Sequence, residues 1–114
     1  MKRFFQMTLT ASMILALSVV SQAQVKVPDE IEKLLQKNTC YACHRADQKL
    51  VGPSYKEVMA KKKYKPEQIV ELIYNPKPAN WPGYPPMAAL PNVPKEEAMK
   101  IAEWMVTLAP KAKK

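Results

Sequence analysis

The sequence predicts an all-α domain of about four short helices. Apolar residues recur at helical spacing in several segments, and no segment shows the alternation of apolar and polar residues that is typical of a strand. Prolines stand at the ends of these segments, where they favour helix boundaries. The chain has 114 residues, of which 47% are hydrophobic and 25% are charged. This balance indicates one compact domain and argues against both an intrinsically disordered chain and an integral membrane protein.

Residues 1–23 have the pattern of a secretory signal peptide. Two basic residues precede an apolar run that is strongest over 13–20, and small residues lead up to a cleavage point after Ala23. The alternative is an uncleaved membrane anchor, but hydroxyl side chains interrupt a run that would need about 20 apolar residues. We therefore predict cleavage, export to the periplasm, and a mature domain over 24–114 with no membrane span. Removal of the signal lowers the formal net charge from +8 to +6.

Four segments of the mature chain carry a helical pattern. They span 29–38, 55–62, 66–74 and the stretch from Pro94 to a stop at Pro110. In the last of these, apolar residues recur at intervals of three and four and predict a buried stripe. A domain this small is only marginally stable by itself, so a disulfide, a metal or a large cofactor would help to hold it together.

The segment 75–94 is unusual because seven of its 20 residues are proline. Neither a regular helix nor a central strand tolerates that density. The segment also carries apolar side chains that need cover, at Trp81, Tyr84, Met87 and Leu90. We predict an ordered loop that wraps around something large and apolar; a flexible proline-rich linker is the alternative.

Residues 40–44 read Cys-Tyr-Ala-Cys-His, which is the C-x-x-C-H attachment signature of a c-type haem. Two thiols three residues apart on one turn can each bond to a vinyl group of the porphyrin. The neighbouring imidazole then lies under the ring and can ligate the iron through Nε2. We predict one covalent haem c, held through Cys40 and Cys43, with His44 as its first axial ligand.

Three other uses of the two cysteines compete with this interpretation. A thioredoxin-type dithiol would need a β-α-β setting, and the sequence shows no strand pattern. A simple disulfide would leave His44 and the long methionine-bearing loop without a role. A structural zinc ion would require both cysteines, the one histidine and a carboxylate. Export, the single histidine and the helical pattern favour haem.

The second axial ligand decides whether the iron site is open or closed. There is no second histidine, so the candidates in the mature chain are its four methionines. Met105 and Met59 fit the buried faces of helices, and Met99 is expected on the solvent side of the last helix. Met87 follows Pro85-Pro86, where a stiff backbone can hold a thioether at the iron. We predict Met87 as the ligand; simple packing of Met87 against the core is the alternative.

The mature chain resembles the class I cytochromes c, especially the short bacterial monohaem electron carriers. The resemblance extends over nearly all of it. It rests on the N-terminal helix, the CYACH motif, Val51-Gly52-Pro53, the tryptophan-bearing loop, Pro86-Met87 and a C-terminal helix with Trp104. One departure is visible: short relatives often follow the ligand methionine with prolines and an asparagine, whereas Ala88-Ala89 follow Met87 here.

The resemblance implies a fold of about four short helices around the haem, with the N- and C-terminal helices crossing. It also implies further site residues. His44 and Met87 would be the two axial ligands. The carbonyl of Pro53 would accept a hydrogen bond from His44 Nδ1–H, and Trp81 would donate one to a haem propionate.

With both axial positions filled, such a protein carries single electrons and is not an enzyme. The positive charge predicts redox partners with acidic docking faces, such as a membrane cytochrome complex, a terminal oxidase or a periplasmic reductase. The lysines over 61–65 and the tail over 111–114 are candidate contacts, although ordinary solvation would also explain them. Export and the lack of an aromatic array beside the lysines argue against nucleic-acid binding. We expect a monomer.

Two other functions stay open at this point. One is a haem-containing subunit, sensor or enzyme in which the sixth coordination site of the iron is open. The other is a periplasmic dithiol or metal-binding module without haem. Membership of one oxidase or reductase complex, in place of free diffusion, would be a variant of the electron-carrier interpretation.

Overall fold

The structure is a computed structural model, and it describes residues 24–111. The predicted signal peptide and the last lysines of the basic tail lie outside the described residues. Across 24–111 the regular structure is helical, without a strand. Its helices are α1 (Asp29–Lys37), α2 (Tyr55–Lys62), α3 (Pro66–Tyr74) and α4 (Lys95–Val106), with short 3₁₀ turns at Cys40–Ala42 and Pro78–Asn80. The predicted all-α class is confirmed.

None of the helices in the described part of the chain is long and apolar enough to cross a membrane.

The starts of α2 and α3 follow from local hydrogen bonds. At α2, the Ser54 hydroxyl accepts from the backbone N–H of Glu57 at 3.0 Å, which satisfies one of the free donors at the helix N-terminus. At α3, Pro66 occupies the first turn, and the Gln68 side chain accepts from the backbone N–H of Lys65 at 2.9 Å. Both helices have the predicted bounds.

Helix α4 is shorter than predicted, because it ends at Val106 and does not extend to Pro110. Thr107, Leu108 and Ala109 continue it as turns in which each backbone N–H reaches the carbonyl three residues earlier. Pro110 explains the change, since its ring would collide with the carbonyl four residues before it, which belongs to Val106. The last turn tightens as a result.

The core lies where α4 packs against the other three helices. Ala98 and Ala102 on α4 have no exposed surface, and their small side chains let α1 and its fully buried Leu35 come close. Met59 and Met105 are buried, as expected. The expectation that Met99 faces solvent was wrong: it is half-buried and packs against the core, because neighbours contact α4 on several sides.

Candidate haem site

A largely apolar cavity of about 400 Å³ lies between the CYACH segment, the helices and the proline-rich loop. Its volume is within the usual range for a ligand pocket. All six haem-binding residues predicted from the sequence line this cavity. They are Cys40, Cys43, His44, Pro53, Trp81 and Met87. Residues that are 47 positions apart in the chain, Cys40 and Met87, therefore line the same cavity.

The CYACH segment is shaped by a tight turn. Thr39 has φ of 59°, a left-handed conformation that ends the run of α1 and opens the 3₁₀ turn Cys40–Ala42. The carbonyl of Cys40 then accepts from two backbone N–H groups, those of Cys43 at 3.3 Å and His44 at 3.0 Å. Cys40 is half-buried and Cys43 is exposed. Burial raises the pKa of the Cys40 thiol above its usual value.

His44 is held in one orientation by a hydrogen bond and by stacking. Its Nδ1 lies 2.8 Å from the carbonyl oxygen of Pro53, and because a carbonyl only accepts, Nδ1 carries the proton. Its ring stacks on Tyr55 at a centroid distance of 5.1 Å, and Tyr55 in turn meets Trp104 edge-on at 5.7 Å. Burial lowers the pKa of His44, with the Pro53 contact acting in the opposite direction. A neutral imidazole in this tautomer leaves the Nε2 lone pair available to a metal.

Gly52 is a requirement of the site that the sequence analysis named only as part of Val51-Gly52-Pro53. A Cβ at this position would lie 2.6 Å from His44 Cε1 and 2.9 Å from His44 Nδ1, which is too close for a side chain. The Gly52 N–H also donates to the carbonyl of Cys43 at 2.7 Å. The residue directly before Pro53 thus has to be glycine for the imidazole to lie where it does.

Trp81 lies half-buried on the cavity wall, among cations. The Lys61 and Lys62 ammonium groups lie 5.8 Å and 5.6 Å from its ring centroid. Tyr84 meets it edge-on at 6.0 Å. The wall is therefore aromatic inside and positively charged at its outer rim.

Two methionines line the cavity. Met87 lies in the irregular segment after Pro85-Pro86 and is 38% exposed, whereas Met105 belongs to α4 and is only 5% exposed. Core packing already accounts for Met105. Met87 is the methionine whose position neither a helix nor the core explains.

Tyr64 is a second residue that the sequence analysis missed. It lines the cavity, and its buried hydroxyl has no hydrogen-bond partner among the described residues. A buried hydroxyl without a partner is costly, so a polar group of a ligand is the natural complement. An aromatic residue between Lys63 and Lys65 was the signal available in the sequence.

These residues fit a c-type haem. The cavity is largely apolar and is lined by two cysteines three residues apart and by an imidazole of fixed tautomer. The unpaired Tyr64 hydroxyl can bind an acidic or polar substituent of the haem. The fold and the site together define a small, all-α c-type haem protein.

Comparison with known proteins agrees with this class. The family model for cytochrome c matches residues 29–109, and the chain belongs to this family. It is 37% identical to cytochrome c-551 of Pseudomonas denitrificans over 78 residues, which cover 68% of this chain and 95% of that protein. It is 34% identical to cytochrome c-551 of Stutzerimonas stutzeri over 96 residues, covering 83% and 92%.

A solved structure gives the same result. The crystal structure of wild-type Nitrosomonas europaea cytochrome c552 matches with a TM-score of 0.60 at 32% identity, covering 68% of this chain and 98% of that one. The resemblance to the class I cytochromes c is thereby confirmed, and with it the covalent haem c and the classification as an electron-transfer protein, not an enzyme.

Proposed function

We propose that this protein is a periplasmic one-electron carrier whose haem is bonded to Cys40 and Cys43 and ligated by His44 and Met87. One observation carries the proposal: the motif residues and Met87, which are distant in sequence, line the same apolar cavity. The fixed Nδ1–H tautomer of His44 supports its role as a ligand through Nε2.

When bound, the haem iron supplies the one-electron chemistry. The protein's own residues do the rest. Pro53 keeps the imidazole oriented, and a thioether from Met87 would close the second axial position against other molecules. Trp81 would donate to one propionate, and the unpaired hydroxyl of Tyr64 is a second donor for such a group. The apolar lining excludes water, which raises the reduction potential by disfavouring the more charged oxidised state.

Partners would be redox proteins with acidic docking faces. Trp81 connects the cavity wall to the cationic rim formed by Lys61 and Lys62, so positive charge lies next to the site from which an electron would leave. Such contacts favour fast and weak association. We propose that the protein acts as a monomer.

The experiment is a visible spectrum of the exported protein, oxidised and then reduced, after expression with a cytochrome c maturation system. We expect sharp low-spin bands on reduction and the weak far-red band of methionine sulfur bound to ferric iron. Changing Met87→Ala should abolish the far-red band. Met105→Leu is the matched control, because Met105 is the other methionine on the cavity wall, and it should keep the band.

The opposite results would be equally informative. If Met105→Leu abolishes the band and Met87→Ala keeps it, the ligand assignment is wrong. A high-spin wild-type spectrum would mean an open iron site and would favour ligand binding or catalysis. Absence of haem would favour a dithiol or a metal-binding role for the two cysteines.

A further inference from the structure

We infer that the hydrogen bond between Tyr84 and Glu57 positions Met87, by fastening the methionine-bearing loop to α2. Tyr84 and Glu57 are thus positioning residues for the iron ligand, although neither is one of the haem-binding residues predicted from the sequence. The inference rests on the proposed ligation by Met87. It goes beyond that proposal by naming what holds the thioether in place.

The first anchor of the loop is a carboxylate shared by two donors. Tyr84 Oη donates to Glu57 Oε2 at 2.8 Å, and Lys61 Nζ donates to Glu57 Oε1 at 2.7 Å. Each oxygen of the carboxylate has one partner, so the group is ionised and fixed on α2. A phenol bound to an ionised carboxylate makes a charge-assisted hydrogen bond, which is stronger than a neutral one.

The second anchor lies downstream, against α3. The backbone N–H of Leu90 donates to the carbonyl of Ile73 at 3.0 Å, and Tyr74 Oη donates to the carbonyl of Val93 at 2.7 Å. Between the two anchors runs the span 85–89, with Met87 at its centre. The described structure shows no backbone hydrogen bond to any of its five residues. The position of Met87 therefore depends on the anchors at either end.

The upstream anchor is the stiffer connection. Pro85-Pro86 joins Tyr84 to Met87, and each ring fixes its own φ near −65°, so little freedom is left between the anchor and the ligand. On the other side, Ala88-Ala89 supplies no such restraint. In this chain the restraint on the ligand methionine comes from before it, through Tyr84.

The hydroxyl of Tyr84 can be removed without losing the ring contacts. The ring lies edge-on to Trp81, and the Lys49 ammonium group lies 4.7 Å from its centroid. Gly83, with φ of +92°, makes the turn that brings Tyr84 N–H to the carbonyl of Trp81 at 3.3 Å. Phenylalanine would keep all of these contacts, so Tyr84→Phe isolates the hydrogen bond.

The test measures how readily imidazole displaces Met87 from the ferric iron of the intact holoprotein. Imidazole binds only when the loop releases the thioether, so its apparent affinity reports how firmly the loop is held. We expect Tyr84→Phe and Glu57→Ala each to bind imidazole about tenfold more tightly than the wild type. The double variant should gain no more than either single one, because both remove the same bond.

Glu30→Ala is the matched control. Glu30 is also a carboxylate in the first part of a helix and also pairs with a lysine, with Lys100 Nζ at 2.8 Å, but it lies on α1 away from the loop. It should leave imidazole affinity unchanged, even if the free energy of unfolding falls.

Three results would overturn the inference. Wild-type imidazole affinity in both Tyr84→Phe and Glu57→Ala would show that the bond does not hold the ligand. Additive effects in the double variant would show that the two residues act separately. An equal gain of imidazole affinity in Glu30→Ala would show that the effect comes from general destabilisation of the protein. If the wild-type protein lacks the far-red band, the proposed ligation by Met87 is itself wrong. That result is distinct from the three above, which concern only the hydrogen bond between Tyr84 and Glu57.

Discussion

Gly52 stands where the imidazole of His44 leaves no room for a side chain. We expect Gly52→Ala to lower the free energy of unfolding by about 1–3 kcal/mol, because the added Cβ must displace the ring or the backbone. The same displacement should lengthen the His44–Pro53 hydrogen bond, whose unperturbed length is 2.8 Å. Urea unfolding of the holoprotein measures the first effect, and the NMR signal of His44 Nδ1–H measures the second.

Gly83→Ala is the comparison for that prediction. Gly83 has φ of +92° and open space where a Cβ would lie, so alanine there is strained by conformation and not by a collision. We expect the free energy of unfolding to fall by about 1–2 kcal/mol and the NMR signal of His44 Nδ1–H to stay unchanged. If Gly52→Ala also leaves that signal unmoved, the close approach of Gly52 does not govern the position of the imidazole.

At the scale of residues, the sequence was informative where the chemistry is local. Cys40, Cys43 and His44 form one short motif, so their shared role can be inferred without knowing the fold. The burial of the unpaired Tyr64 hydroxyl and the bond from Tyr84 to Glu57 could not be inferred, because both depend on which segments the folded chain brings together.

At the scale of helices, α1 and α4 are joined by polar contacts as well as by their apolar faces. Glu97 accepts from Lys37 Nζ at 2.5 Å and from Asn38 Nδ2 at 2.9 Å, and these hydrogen bonds hold the pKa of its carboxyl below the usual value. A carboxyl with a lowered folded-state pKa adds stability above its unfolded pKa and loses it as the pH falls through the folded value. Glu97 therefore helps to join the two helices at neutral pH and not in acid.

We expect Glu97→Gln to weaken the dependence of stability on pH below about pH 5, where the unfolded carboxyl begins to take up a proton. The measurement is the free energy of unfolding in urea between neutral pH and about pH 3. Glu103→Gln, an exposed carboxylate on the same helix, is the control and should follow the wild-type curve. Parallel curves for all three proteins would contradict the role given to Glu97.

The helices themselves were largely predictable, and the reason is that their signals are short-range. Proline at the start of α3 and the apolar spacing of α2 fix their bounds without reference to the rest of the chain. The end of α4 was predicted too late because the stop was placed at Pro110 itself, whereas the proline ring acts on the carbonyl of Val106, four residues earlier. The burial of Met99 was mistaken because it depends on which helices surround α4. For the loop over 75–94, its order around the cavity was predicted, but its two anchors were not.

At the scale of the whole molecule, the excess of positive charge matters through where it lies. Three lysines of the described chain are paired with carboxylates, whereas Lys62 faces Trp81 at the rim of the cavity. An anionic reagent that takes an electron at this rim should be attracted to it, and salt should screen the attraction over about 10 Å at 0.1 M. Oxidation of the reduced protein by hexacyanoferrate(III) should accordingly slow as ionic strength rises.

We expect Lys62→Gln to lower that rate roughly two- to threefold at low salt and to flatten its dependence on ionic strength. Lys33→Gln removes the same charge from an exposed position on α1, without the contact to Trp81 that Lys62 makes, so it is the matched control. A larger effect at Lys62 would show that local charge beside Trp81 steers the reagent. Equal effects of Lys62→Gln and Lys33→Gln would mean that only the net charge counts. This protein would then offer no preferred docking surface to the acidic faces proposed for its partners.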